Sequence, residues 1–83
     1  MDKPVYIFRK NHNEEVRASI RKFKDRIYVD LRVWLERDNG HAEFSPTKKG
    51  LTLSVYVLPE LKAAVQALED ELKQRGLLET KET

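Results

Sequence analysis

The chain contains no cysteine, which excludes disulfides, thiolate metal sites, iron–sulfur clusters and cysteine nucleophiles together. Histidine is nearly as scarce. His12 and His41 each fall in an expected loop or turn, and neither has ligand spacing to a second histidine or to a pair of carboxylates. Ser19, Ser45 and Ser54 lie in no nucleophile-elbow context, while Glu14 with Glu15 and Glu69 with Glu71 read as solvated faces rather than acid/base pairs. Gly40 and Gly50 stand near lysines without forming a phosphate-binding loop. No enzyme, metal or cofactor is expected. Runs of ~20 apolar residues are also missing, so no membrane span is expected. The first ten residues, MDKPVYIFRK, lack the apolar centre of a secretory signal. The expected location is therefore the cytoplasm.

What is present is one short domain, taken as residues 1–83 with a core of about 16–76 and flexible ends at Met1–Lys3 and Glu79–Thr83. A chain this size buries only about 60% of its unfolded surface. Without disulfides or metals, dimerisation is the expected supplement. The composition, 40% hydrophobic and 36% charged, is that of a globular protein rather than a disordered tail. Residues 1–26 hold eight Lys/Arg against four Asp/Glu, residues 27–50 four against four, and residues 51–83 four against six. A basic excess confined to the N-terminal third points to a polyanionic partner.

Periodicity divides the chain further. Pro4 opens a short apolar run, Val5 to Phe8, expected as an edge strand that ends at Asn11, His12 and Asn13. Val16, Ala18 and Ile20 alternate with Arg17, Ser19 and Arg21, predicting a half-buried strand to about Phe23, with a tight turn at Lys24 and Asp25. From Arg26 to Arg37 the alternation is strongest, with Ile27, Val29, Leu31, Val33 and Leu35 on one face. Asp38, Asn39 and Gly40 suit a type I′ hairpin turn. A short strand is expected at His41 to Phe44, stopped by Pro46. Another is expected from Leu51 to Ser54, extending through Val55 to Val57. Leu61, Val65, Leu68 and Leu72 then recur at helical spacing, with Pro59 in the first turn and Gly76 at the end. So narrow a seam fits a helix that touches its sheet along one edge and a partner helix along the other; a helix covering only its own sheet fits as well.

If the apolar strand faces pack under this helix, the opposite face collects Arg17, Arg21, Phe23, Arg26, Tyr28, Arg32 and Trp34, with Lys48 and Lys49 in the loop before the last strand. Cations neutralise phosphates, and flat rings stack on bases that have no complementary strand, so the set points to single-stranded nucleic acid. Packing offers another account: aromatics favour strands, Arg beside a ring stabilises a sheet, and Arg32 with Asp30 can be a surface charge pair. Four arginines and three rings on one face, with two lysines beside it, favour a ligand. A small dimeric module docking an acidic protein partner is the alternative, since it predicts the same basic patch.

The residues also carry a family pattern. Ser19 to Lys24 (SIRKFK), Ile27 to Arg32 (IYVDLR) and Pro46 to Leu53 (PTKKGLTL), followed by an acidic amphipathic helix, resemble the single-stranded-DNA-binding domain of the transcriptional coactivators called positive cofactor 4. The resemblance covers Val16 to about Leu72. It implies an α+β fold, a curved four-stranded antiparallel sheet followed by one C-terminal helix, and a homodimer joined through helices at Leu61, Val65, Leu68 and Leu72. Paired concave surfaces would hold single strands. By position Phe23 matches the family's stacking phenylalanine, Arg21, Lys24, Arg26 and Arg32 match basic strand positions, and Lys48 and Lys49 match the basic pair before the glycine. Animal members place a stacking tryptophan where this chain has Leu35; here the tryptophan is Trp34, one residue earlier, sharing parity with Arg26, Tyr28 and Arg32. Animal members carry a long Ser-rich region before this domain; these 83 residues hold none, and the resemblance implies a bacterial or phage type. The implied partners are single-stranded DNA, with RNA or melted duplex as variants, and the transcription machinery. The implied roles are transcription regulation, replication or repair, with a nucleoid association if the source is bacterial.

Overall fold

The structure is a computed structural model that describes residues 3–37 and 43–78. Four strands, β1 (Tyr6–Asn11), β2 (Glu14–Phe23), β3 (Arg26–Glu36) and β4 (Phe44–Ser54), lead through a 3₁₀ turn at Val55–Val57 into helix α1 (Leu58–Gln74). The strands pair antiparallel in the order β1-β2-β3-β4, forming an open sheet. This is the expected α+β architecture. Among the described residues no helix is long and apolar enough to cross a membrane.

Alternation builds the central pair. β2 and β3 run in unbroken register from Glu14 opposite Leu35 to Phe23 opposite Arg26. They are joined at Lys24 and Asp25, both with positive φ (51° and 64°), the geometry of a type I′ hairpin turn. At the β1–β2 turn, the Asn13 N–H donates to Asn11 Oδ1 at 3.1 Å, an Asx turn that reverses the chain. The expected hairpin at Asp38, Asn39 and Gly40 lies outside the described residues. On its two sides the Arg37 N–H donates to the Glu43 carbonyl at 2.6 Å.

β4 corrects the sequence reading. His41 and Ala42 of the strand expected at His41 to Phe44 lie outside the described residues; Phe44 belongs to the same strand as Leu51 to Ser54, and Lys48 and Lys49 lie within that strand rather than in a loop. Pro46 is tolerated because β4 is an edge strand beside an irregularity: Thr47, Lys48 and Lys49 stand where β3 offers only Val33. Gly50 follows with φ 150°, and a Cβ there would collide with the Leu31 carbonyl oxygen. The extension through Val57 is also corrected. Ser54 Oγ accepts the Tyr56 N–H at 3.3 Å, capping a 3₁₀ turn that ends the strand.

α1 carries Pro59 in its first turn. It closes with Gly76 at φ 69°, where the Gly76 N–H bonds the Lys73 carbonyl at 3.1 Å and the Leu77 N–H bonds the Leu72 carbonyl at 2.9 Å. This is a Schellman motif. The helix packs on the 3₁₀ turn, not across the sheet. The expectation that it covers the apolar face within one chain is therefore corrected. Ser54 passes directly into the turn and the turn into the helix, with no connection long enough to carry α1 back over the strands. Val33, 9% exposed, is the one buried hydrophobic among the described residues, while Phe8, Ile20, Leu35, Leu51, Val65 and Leu68 stay exposed. The chain presents 7130 Å² to solvent, against about 5,200 Å² for a compact monomer of this mass.

Candidate nucleic-acid interface

The register decides which side chains share a face. Arg17 lies opposite Arg32, Arg21 opposite Tyr28, Phe23 opposite Arg26, and Glu15 opposite Trp34. All seven strand residues expected on the polar face, Arg17, Arg21, Phe23, Arg26, Tyr28, Arg32 and Trp34, are therefore together. β4 adds Thr52 opposite Asp30, Pro46 opposite Trp34 and Phe44 opposite Glu36. Lys24 sits at the end in the β2–β3 turn, its ammonium 5.4 Å from the Phe23 ring centroid.

This face is furrowed. A hollow of about 500 Å³ is bounded by Arg17, Ser19, Arg21, Asp30, Trp34 and Pro46. A second of about 370 Å³ lies among Arg21, Phe23, Tyr28, Arg32 and Thr52. A third of about 340 Å³ lies among Arg26, Tyr28, Ser54 and Tyr56. Arg21 and Tyr28 are each shared by two hollows, so the three form one furrow along the strands. From Trp34 to Arg26 it spans about 26 Å at the rise of an antiparallel strand. Lys48 and Lys49, both exposed on β4, line none of these hollows.

The cations in the furrow are not equivalent. Arg32 is held by Asp30, with Nε donating to Oδ2 at 3.2 Å and Nη2 to Oδ1 at 2.9 Å. Its remaining hydrogen bonds go to the Thr47 carbonyl at 3.1 Å and Thr52 Oγ1 at 3.2 Å. Thr52 Oγ1 itself donates to Asp30 Oδ1 at 2.6 Å. Asp30 is 4% exposed. Burial opposes its ionisation, but hydrogen bonds from Arg32 and Thr52, with the charges of Arg32 and Arg21, outweigh it and hold the carboxyl below its ordinary range. The Asp30 hydrogen bond raises the Arg32 guanidinium in turn, against the opposing effect of burial.

Arg17 is also engaged. Its Nε bonds Glu15 at 2.7 Å, and its guanidinium lies 4.1 Å from the Trp34 ring centroid and 5.4 Å from that of Phe44. Trp34 is thus a half-buried member of the polar face, supporting a cation rather than filling the core. Arg21, Lys24, Arg26, Lys48 and Lys49 form no ion pair among the described residues.

Three participants have no clear signal in the sequence. Phe44 reads as part of a separate short strand, yet counting even positions back along β4 from Thr52 brings it to this face. Tyr56, 89% exposed beside Arg26 and Tyr28, reads as part of a strand extension. Asp30 reads only as a neighbour of Arg32. The helix seam expected at a dimer interface is open: Leu61 is half-buried, and Val65, Leu68 and Leu72 are exposed. His12 is exposed in the β1–β2 turn, and its carbonyl accepts from Arg9 at 3.4 Å. No cluster of three metal-ligating side chains occurs among the described residues.

Comparisons with known proteins agree with this fold. The family model for the Transcriptional Coactivator p15 (PC4) matches residues 10–64. Crystal structures of a PC4 homologue from Burkholderia pseudomallei superpose with a TM-score of 0.75. In the orthorhombic form the identity is 22%, over 82% of this chain and 89% of that one. In the tetragonal form it is 23%, over 83% and 98%. A bacteriophage T5 homologue of PC4, implicated in recombination-dependent DNA replication, aligns at 24% identity over 94% of this chain and 82% of its own, with a TM-score of 0.54. No curated protein sequence matches significantly.

Proposed function

Because the chain belongs to the PC4 family of transcriptional coactivators, we propose that it binds single-stranded DNA along the furrowed face, without strong sequence preference, as a homodimer. The observation that carries this reading is the exposed Phe23 ring, 62% open to solvent, set between Arg21, Lys24 and Arg26, which form no ion pair among the described residues. An apolar ring left open beside charges is a poor structural element and a good stacking platform. Arg21, Lys24, Arg26, Lys48 and Lys49 neutralise phosphates, while Phe23, Tyr28 and Trp34 stack on bases. Arg17 and Arg32, already paired with carboxylates, shape the floor of the site. The apolar sheet face and the Leu61, Val65, Leu68, Leu72 seam, both uncovered in one chain, support a second copy as their partner. Regulation of transcription, replication and repair are the processes such binding serves.

The test is the affinity of the protein for an unstructured oligonucleotide against the same sequence as a duplex, at one salt concentration. Clear preference for the single strand is expected. Equal affinity for both, or binding to an acidic peptide that displaces the oligonucleotide's place in the furrow, would favour the protein-docking alternative.

A further inference from the structure

The furrow is cationic, yet its most buried polar side chain is an acid. Asp30 binds Arg32 through both carboxylate oxygens, and Arg32 carries the connection across to β4 by donating from Nη1 to the Thr47 carbonyl at 3.1 Å. Thr47 continues it. Its Oγ1 donates to the Val33 carbonyl at 2.8 Å and accepts the Lys49 N–H at 3.1 Å. These bonds span the stretch where Thr47, Lys48 and Lys49 face a single residue of β3, so the ladder cannot hold that stretch itself.

We infer that Asp30 is a positioning residue for nucleic-acid binding, acting through Arg32 and Thr47 to fix the irregular segment that carries Lys48 and Lys49. This rests on the proposed binding of single-stranded DNA. It assigns Arg32 a different part from the free cations, since four of its hydrogen bonds are committed within the protein. It also separates two expectations of opposite sign. If Asp30 acts on the ligand only through its charge, removing a negative group beneath a polyanion site strengthens binding. If it positions the lysine segment, the same change weakens binding.

Asp30→Asn decides between them. In fluorescence anisotropy with a labelled oligothymidine at fixed salt, it is expected to bind several-fold more weakly than the parent protein. Replacing Lys48 and Lys49 together by Ala should weaken the parent but add little in the Asp30→Asn background. Binding at parental strength or tighter would overturn the inference, and so would an undiminished effect of the lysine pair. Thr47→Val, which changes no charge and removes the hydroxyl link, should reproduce the weakening and serves if Asp30→Asn fails to fold. Amide exchange in the absence of DNA gives a readout independent of binding. The Lys49 N–H should exchange faster in either variant, and unchanged protection would sink the inference. A parent protein that binds no oligonucleotide would refute the proposed function, while the Lys49 exchange would still decide the role of Asp30.

Discussion

Phe23 and Trp34 lie on the same face of the sheet but in different settings. Phe23 is open, so Phe23→Ala should cost about 1 to 3 kcal/mol of oligonucleotide binding with the thermal midpoint nearly unchanged. Trp34 lies against the Arg17 guanidinium, a contact worth about 0.5 to 1 kcal/mol at an exposed site. Trp34→Ala should therefore lower stability modestly as well as affinity, and tryptophan emission should change on titration with single-stranded DNA. Asp30 supplies a pH dependence. Its folded-state carboxyl is held below the ordinary range by Arg32 and Thr52 in spite of burial. The stability it contributes is thus complete above the unfolded value of about 3.9 and is lost as pH falls from there through the lower folded value. A series of melting curves below about pH 4 should fall less steeply for Asp30→Asn than for the parent. The sequence shows this acid in plain view, two residues before Arg32. What it does not show is that Thr52, twenty-two residues away in the chain, closes the pair from another strand.

Elements built from local pattern were legible, and those depending on distant contacts were not. β2 and β3 declare themselves by strict alternation, and α1 by its leucine spacing, Pro59 and Gly76. β4 is masked because Pro46 and the glycine-lysine stretch imitate a loop; only its place at the sheet edge makes the proline tolerable. The missing contact between α1 and the sheet has no local signal at all, because both apolar surfaces read as if made for one another. Two predictions belong here. Gly50→Ala places a methyl group on the Leu31 carbonyl in a backbone conformation that disfavours side chains, and should cost about 3 kcal/mol, measured by chemical denaturation. Leu68→Glu puts a charge into the open helix seam, where Leu68 is 64% exposed in the single chain. Because the side chain is exposed within one chain, the variant should still form its secondary structure, while sedimentation shows the proposed dimer weakened or lost.

For the whole molecule, the surplus of exposed apolar surface supports the proposed pairing with a second copy. The Cα radius of gyration of 15.5 Å exceeds the roughly 12 Å of a compact chain this long. A second copy covering the apolar face makes stability depend on concentration, so the melting temperature should rise on increasing protein concentration. For the proposed binding at the opposite face, the five cations that form no ion pair among the described residues predict a slope of log K against log salt of about −3.5 for single strands; a flat salt response would contradict the proposed phosphate contacts. The two surfaces are the two sides of a sheet one residue thick, and the strands differ in what they can absorb. The edge strands already carry irregularities, at Lys10 in β1 and at Thr47–Lys49 in β4, whereas β2 and β3 pair without a break. Tolerance of changes in chain length should therefore be sharply local. One residue inserted beside Lys10 or Lys48 enlarges an existing irregularity, but one inserted between Val29 and Asp30 must either break both ladders of β3 or turn Arg32 and Trp34 to the apolar side and Val33 and Leu35 into the furrow. A scan of single-residue insertions should thus find one stretch of chain in which the same lesion abolishes both assembly and binding, flanked by edges where neither is lost.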